Sequence, residues 1–216
     1  MKSITLFVIA LFVMFSSAFA QKVSDKKAKD ILDAASAKIQ SYSTIKIDFT
    51  FTETQNDKEG TSRKGRVWLK GNKYHLRFAG QEVFCDGKTK WTYIKDAEEV
   101  HITNVKDDDD ELANPVSLLK NYQRRFTVRW IKEETYKGKR VDIVDLYPKK
   151  QKGYHRVRLR IEKSTKHLVS STVYQMNNTS QTIDVDKFVT NETIADSHFR
   201  WDSTKYPNVE EIDLRK

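Results

Sequence analysis

The chain has 216 residues, a formal charge of +9 from 39 Lys and Arg against 30 Asp and Glu, and a single cysteine. One cysteine excludes an internal disulfide and with it a small stapled domain, so stability has to come from a hydrophobic core. The cations recur at alternate positions rather than in one block, which argues for a solvated surface and against nucleic acid as a partner.

The chain opens with Met1-Lys2, an apolar run from Ile4 to Phe15 broken only by Thr5, and Ser16-Ser17-Ala18-Phe19-Ala20. This pattern predicts a cleaved signal peptide over 1–20 and a single domain over 21–216. The only cysteine, Cys85, lies far from the cleavage site, so none is there to carry lipid. The exported chain is therefore expected to be free in its compartment.

From Ser24 to about Gln40, Ala28, Ile31, Leu32, Ala35 and Ile39 recur at three- and four-residue spacing, which predicts an amphipathic helix with a thin, alanine-rich stripe. Period two then takes over: Ile45, Ile47, Phe49 and Phe51; Val67 and Leu69; Tyr74, Leu76 and Phe78; Val100 and Ile102; Phe126, Val128 and Trp130. It continues through Val141 and Ile143, Val157, Leu159 and Ile161, Val169 and Val173, and Ile183 and Val185. About ten or eleven short strands with tight turns predict an antiparallel barrel or a strongly curved sheet. Trp68 falls on the polar parity of its strand.

Asp86-Gly87 predicts a two-residue hairpin loop pairing Cys85 with Lys88, Phe84 with Thr89 and Glu82 with Trp91. That register sets Phe84, Trp91 and Tyr93 on one face and Lys88 and Lys90 on the other. Two stretches interrupt the strands. Lys106 to Glu111 contains four consecutive aspartates and reads as a solvated loop, and a short helix is expected near 115–122, with Val116, Leu119 and Tyr122 on its apolar side.

Catalytic and metal constellations do not assemble. The five histidines lack metal-ligand spacing, no G-x-S-x-G elbow or phosphate-binding glycine run occurs, and the Asp107–Asp110 run lacks the spaced ligands of a calcium loop. No catalytic residue, metal or cofactor is expected. The apolar parity is instead rich in rings and branched chains: Phe49, Phe51, Leu69, Tyr74, Leu76, Phe78, Phe84, Trp91, Tyr93, Phe126 and Trp130. Eight strands fill a barrel with their own side chains, whereas more leave room inside. These residues are therefore expected to line a hydrophobic cavity for lipid, with Ile31, Leu32, Ala35 and Leu119 on the covering helices.

Several motifs carry a resemblance: Phe49-x-Phe51, Gly65-Arg66-Val67-Trp68-Leu69-Lys70, Tyr74-His75-Leu76 and Asp86-Gly87-Lys88-x-x-Trp91-x-Tyr93. In this order they resemble the periplasmic lipoprotein-carrier (LolA) family. Asn191-Glu192-Thr193-Ile194, Phe199-x-Trp201-Asp202 and the ending from Tyr206 to Arg215 resemble its Bacteroidetes-type version. The resemblance implies a mainly β fold with an α lid: an antiparallel, unclosed barrel of about eleven strands covered by the N-terminal helix and a short central helix. It implies a non-enzymatic, monomeric periplasmic carrier of acylated lipoproteins. Such a carrier is loaded by an inner-membrane lipoprotein-releasing ABC transporter and delivers to the outer membrane, where an acceptor receives the cargo. Many family members have an Arg after Trp-x-Lys that holds the lid closed; here Lys70 is followed by Gly71-Asn72, so no latch residue carries over. Carriage of another amphiphile such as a glycolipid, an envelope hydrolase, and a purely structural envelope protein are the rival readings.

Overall fold

The structure, a computed structural model, describes residues 24–56, 58–105, 118–119 and 122–215. The expected signal peptide, the aspartate run and the start of the expected central helix, with Val116, lie outside the described residues. Helix α1 spans 24–40, as the periodicity predicts. Then come β1 (Ile45–Gln55), β2 (Lys58–Lys70), β3 (Lys73–Phe78), β4 (Gln81–Cys85), β5 (Thr89–Ile94) and β6 (Glu99–Asn104). A short helix α2 (Tyr122–Arg125) leads into β7 (Phe126–Tyr136), β8 (Lys139–Pro148), β9 (Tyr154–Glu162), β10 (Leu168–Gln175), β11 (Thr179–Thr190) and β12 (Glu210–Asp213).

All twelve strands form one sheet in the order β12-β6-β5-β4-β3-β2-β1-β11-β10-β9-β8-β7. The sheet does not close, because β12 and β7 are its two edges. Every pairing is antiparallel except β12 with β6, which is parallel. β12 is one strand more than the periodicity predicts: its sequence, Glu-Glu-Ile-Asp, has no apolar alternation, and its place is set by backbone bonds such as Glu210 N–H to Glu98 O at 2.9 Å.

One face carries the main core. Cross-strand partners share a face, and the register forms rows across β1 to β4: Ile45–Leu69–Tyr74–Cys85, then Ile47–Val67–Leu76–Val83, then Phe49–Gly65–Phe78–Gln81. Ala28, Leu32, Ala35 and Ile39 of α1 join these residues in one cluster with Leu118, Leu119, Tyr122 and Phe126. Ala28, Leu32 and Ala35 have no solvent exposure. Small residues on the stripe are why the helix sits close against the sheet. Ser24 Oγ donates to Trp130 O at 2.7 Å, and Lys27 Nζ sits 3.5 Å from the centre of the Trp130 ring, so the helix N-terminus is tied to the free edge of β7.

The opposite face carries a second apolar layer. There the register aligns Trp68, His75, Phe84, Trp91 and Ile102 in one row, and Glu82, Tyr93 and Val100 beside it. The segment from 191 to 209 straps across them. Phe199 is fully buried, and Trp201 packs edge-on to Phe84 at 5.9 Å and stacks on Tyr206 at 4.4 Å.

This layer corrects the expected position of three residues. Phe84, Trp91 and Tyr93 face the strap, not the inner wall. Ala79 and Gly80, both at positive φ, make the two-residue loop between β3 and β4. Phe78 therefore pairs with Gln81, so Phe84 falls on the face opposite Phe78. The register of the next hairpin also differs from expectation: Cys85 pairs with Lys90, Phe84 with Trp91 and Glu82 with Tyr93. Asp86 does not sit in a two-residue turn. Its Oδ1 accepts the N–H groups of Lys88 and Thr89 at 3.0 and 2.9 Å, which makes the loop two residues longer, and Arg200 of the strap grips its Oδ2. A shift by two preserves the face, so the three rings still lie together, and Lys90 takes the inner-face position beside Cys85.

Candidate functional site

The concave face is covered unevenly. In the first row Ile45, Leu69, Tyr74 and Cys85 are all buried. In the second, Ile47 and Val67 are buried but Leu76 and Val83 are only half-buried. In the third row Phe78 is half-buried, as is Phe51 one step further along β1. Ile183 and Val185, which pair with Phe51 and Phe49, are half-buried too. Burial thus falls steadily along the strands. The result is an open apolar patch of Phe51, Leu76, Phe78, Val83, Ile183 and Val185.

Phe78 is its centre, 5.2 Å from the Phe51 ring edge-on and 5.7 Å from Phe49. Gly65 supplies the floor. A Cβ there would come within 2.3 Å of Phe49 Cζ, so the ring lies directly on the glycine backbone. Partly exposed rings of this size are costly in water, and a face that leaves them half-buried is suited to receiving an apolar ligand.

The sequence-predicted residues now divide. Phe49, Phe51, Leu69, Tyr74, Leu76 and Phe78 lie together on the concave side of β1 to β3, and Phe126 and Trp130 lie on the same side of β7. Phe84, Trp91 and Tyr93 belong to the strap layer. Of the covering residues, Leu32, Ala35 and Leu119 are buried in the concave core and Ile31 packs against it. Val83, Ile183 and Val185 are patch residues not singled out by the aromatic pattern. Their signal was the alternation itself, in strands that carry few rings.

Polar contacts fasten the cover. Tyr122 donates to Asp33 Oδ1 at 2.7 Å, joining α2 to α1, and burial beside that carboxylate pushes the phenol pKa up to about 12. At the other end, Tyr42 OH meets His167 Nε2 at 2.7 Å, and the imidazole stacks on Phe188 at 4.2 Å. Burial lowers the His167 pKa, which favours the neutral ring.

Lys70, at the position preceding the missing family Arg, does something else. Its Nζ lies 2.8 Å from Asp196 Oδ1 and donates to Ile194 O at 2.8 Å. Lys73 binds the other oxygen of Asp196 at 2.6 Å, and the two ammoniums hold that carboxyl down at about 2. Lys70 therefore secures the strap, on the face away from α1.

Among the described residues no group of three or more His, Cys, Asp or Glu is arranged to hold a metal ion. No described helix is long and apolar enough to cross a membrane. Cys85 is buried.

Comparison with known proteins gives three kinds of likeness. The family described as outer membrane lipoprotein carrier protein LolA matches residues 16–179. An uncharacterised protein of Methanocaldococcus jannaschii is 22% identical over 144 residues, covering 66% of this chain; the match spans 43% of that relative's length. A conserved protein of Thermus thermophilus has the same fold, with a TM-score of 0.61 at 10% identity over 88% of this chain and 99% of that one. A LolA superfamily protein of Nitrosomonas europaea superposes with a TM-score of 0.45 at 11% identity, covering 81% of this chain and 97% of the other.

Proposed function

The chain belongs to the outer membrane lipoprotein carrier protein LolA family, and from that premise we propose that it is a periplasmic carrier that holds the acyl chains of lipoproteins on its concave face and ferries them from the inner to the outer membrane. The observation that carries this reading is the half-buried patch around Phe51 and Phe78, left open beside a helix-covered core. In this reading residues 1–20 direct export, an inner-membrane lipoprotein-releasing ABC transporter loads the protein, and an outer-membrane acceptor unloads it. The part played by the chain is binding and release, without catalysis.

The energetics suit an open patch. Three acyl chains of about sixteen carbons cost up to roughly 38 kcal/mol to expose to water, at about 0.8 kcal/mol per CH₂. Non-covalent affinity saturates near about 20 kcal/mol. A carrier therefore recovers only part of the exposure cost, and one that shields its cargo incompletely gives it up more readily.

The test is uptake of a fluorescent fatty acid by the folded protein. Phe78→Asp is expected to weaken uptake at least about tenfold, roughly 1.4 kcal/mol, because it sets a charge in the centre of the patch. Trp91→Ser, on the strap face, is expected to leave uptake unchanged. Equal loss in both variants, or no uptake by the wild type, would refute the assignment of the site. Lipoproteins co-purifying from the native host would establish the cargo, and a different amphiphile in their place would redirect it.

A further inference from the structure

At one corner of the sheet, where Ala79-Gly80 joins β3 to β4, a pocket of about 270 Å³ is lined by Lys64, Arg77, Tyr93 and Lys95. The one carboxylate in its lining, Glu82, is already engaged. Its Oε2 accepts from Arg77 Nε at 3.0 Å and lies 3.0 Å from His75 Nε2. Lys64 and Lys95 are exposed and form no ion pair among the described residues. Three cations against one occupied carboxylate leave the pocket with surplus positive charge and unused donors: two ammoniums, the outer guanidinium nitrogens of Arg77, and the Tyr93 hydroxyl.

The position matters as much as the charge. Phe78 is common to both sites: it is among the residues lining this pocket, and its ring packs against Phe51 at the centre of the patch. The donor-rich pocket and the apolar patch therefore meet at Phe78 and the Ala79-Gly80 corner.

The geometry points to this corner as the seat of a phosphate group belonging to an acyl-chain amphiphile, with its chains laid on the patch around Phe78. One space is lined by an Arg and two Lys, a set of donors that suits a tetrahedral anion with several acceptor oxygens; one Arg suffices for a carboxylate. The inference rests on the reading of the patch as an acyl site; the acylated cysteine of a lipoprotein carries no phosphate, so the phosphate-bearing amphiphile is a second ligand of the same patch.

Calorimetric titration of the purified protein at low ionic strength, with ligands kept below their micelle-forming concentrations, tests it. The probes are decyl phosphate, decyl maltoside and glycerol 3-phosphate. Decyl phosphate is expected to bind at least about tenfold more tightly than decyl maltoside, and glycerol 3-phosphate far more weakly than either. Lys64→Gln combined with Lys95→Gln is expected to erase the preference and leave decyl maltoside affinity as it was. Both lysines are exposed, and an unchanged melting temperature shows that the variant folds. Equal wild-type affinity for the two decyl compounds overturns the headgroup site and leaves the acyl patch standing. Glycerol 3-phosphate binding as tightly as decyl phosphate overturns the lipid source in favour of a soluble phosphate ester. No binding of either decyl compound overturns both this inference and the carrier reading.

Discussion

Gly65 shows how much one missing atom decides. It pairs with Phe49 on one side and Phe78 on the other, and the Phe49 ring occupies the space in which a side chain would sit. Gly65→Ala forces that ring to move, and overpacking of this kind costs about 1–3 kcal/mol. A lower urea midpoint with an unchanged slope is the expected readout; an unchanged midpoint would mean that Phe49 has room to yield. The sequence makes the alternation of Phe49 and Phe51 plain, and the structure keeps both rings on the concave side. It does not say that the residue facing Phe49 has to be a glycine, because that follows from a pairing between strands. The positions of Phe84, Trp91 and Tyr93 were obscured for a related reason. Alternation groups residues onto a common face without naming the face, and here the two-residue loop at Ala79-Gly80 inverts the phase between Phe78 and Phe84.

Among the elements, α1 was the most legible, since its spacing, start and thin apolar stripe all reappear in the structure. The strap was the least. Residues 191–209 form no long strand or helix, and their order comes from side chains reaching distant partners. Thr44 Oγ1 donates to Glu192 O at 2.7 Å, and Asn191 Oδ1 accepts from Ser43 N at 3.0 Å. Lys70 and Lys73 converge on Asp196, and Phe199 plugs the layer. Nothing in local periodicity announces such a segment. Phe199→Ala is expected to destabilise the protein by about 3–5 kcal/mol, measured by chemical denaturation. Fatty-acid uptake by the fraction that remains folded should persist, since Phe199 packs on the other side of the sheet. Loss of uptake in folded protein would show that the two faces are coupled.

Taken whole, the molecule is a sheet with two unlike faces, one covered by α1 together with α2 and the other by the strap. Its stability should respond to acid through the buried imidazole between sheet and strap. His75 stacks against Phe84 at 4.1 Å and Trp68 at 5.0 Å, with its nitrogens meeting Glu82 and His198. Burial, reinforced by the charges of His198 and Arg77 and opposed by Glu82, depresses its pKa to about 4. An unfolded histidine titrates near 6.5, so between pH 6.5 and 4 the unfolded chain holds a proton that the fold refuses. Stability is therefore complete above about pH 6.5 and falls by roughly 1.4 kcal/mol per unit towards pH 4, about 3 kcal/mol in all. His198, whose pKa is also lowered by burial, adds to the same trend. Melting temperatures measured from pH 7 to 4 should fall accordingly, and His75→Phe should flatten the slope. A slope unaffected by that substitution would place the acid sensitivity elsewhere. The openness of the sheet follows from the same plan: its edges are a short acidic strand, β12, and β7, whose Trp130 carbonyl is taken by Ser24. Both features blunt further strand pairing.

The strap also sets a timetable. His198 meets His75 across 123 residues of sequence, and Lys70 reaches Ile194 across 124. During synthesis the rings of Trp68, Phe84 and Trp91 emerge long before the segment that covers them. Contacts this far apart close late and slowly. A nascent chain therefore passes through a stage in which its outer face is bare, and at that stage the protein is itself a client: an exposed aromatic surface awaiting cover.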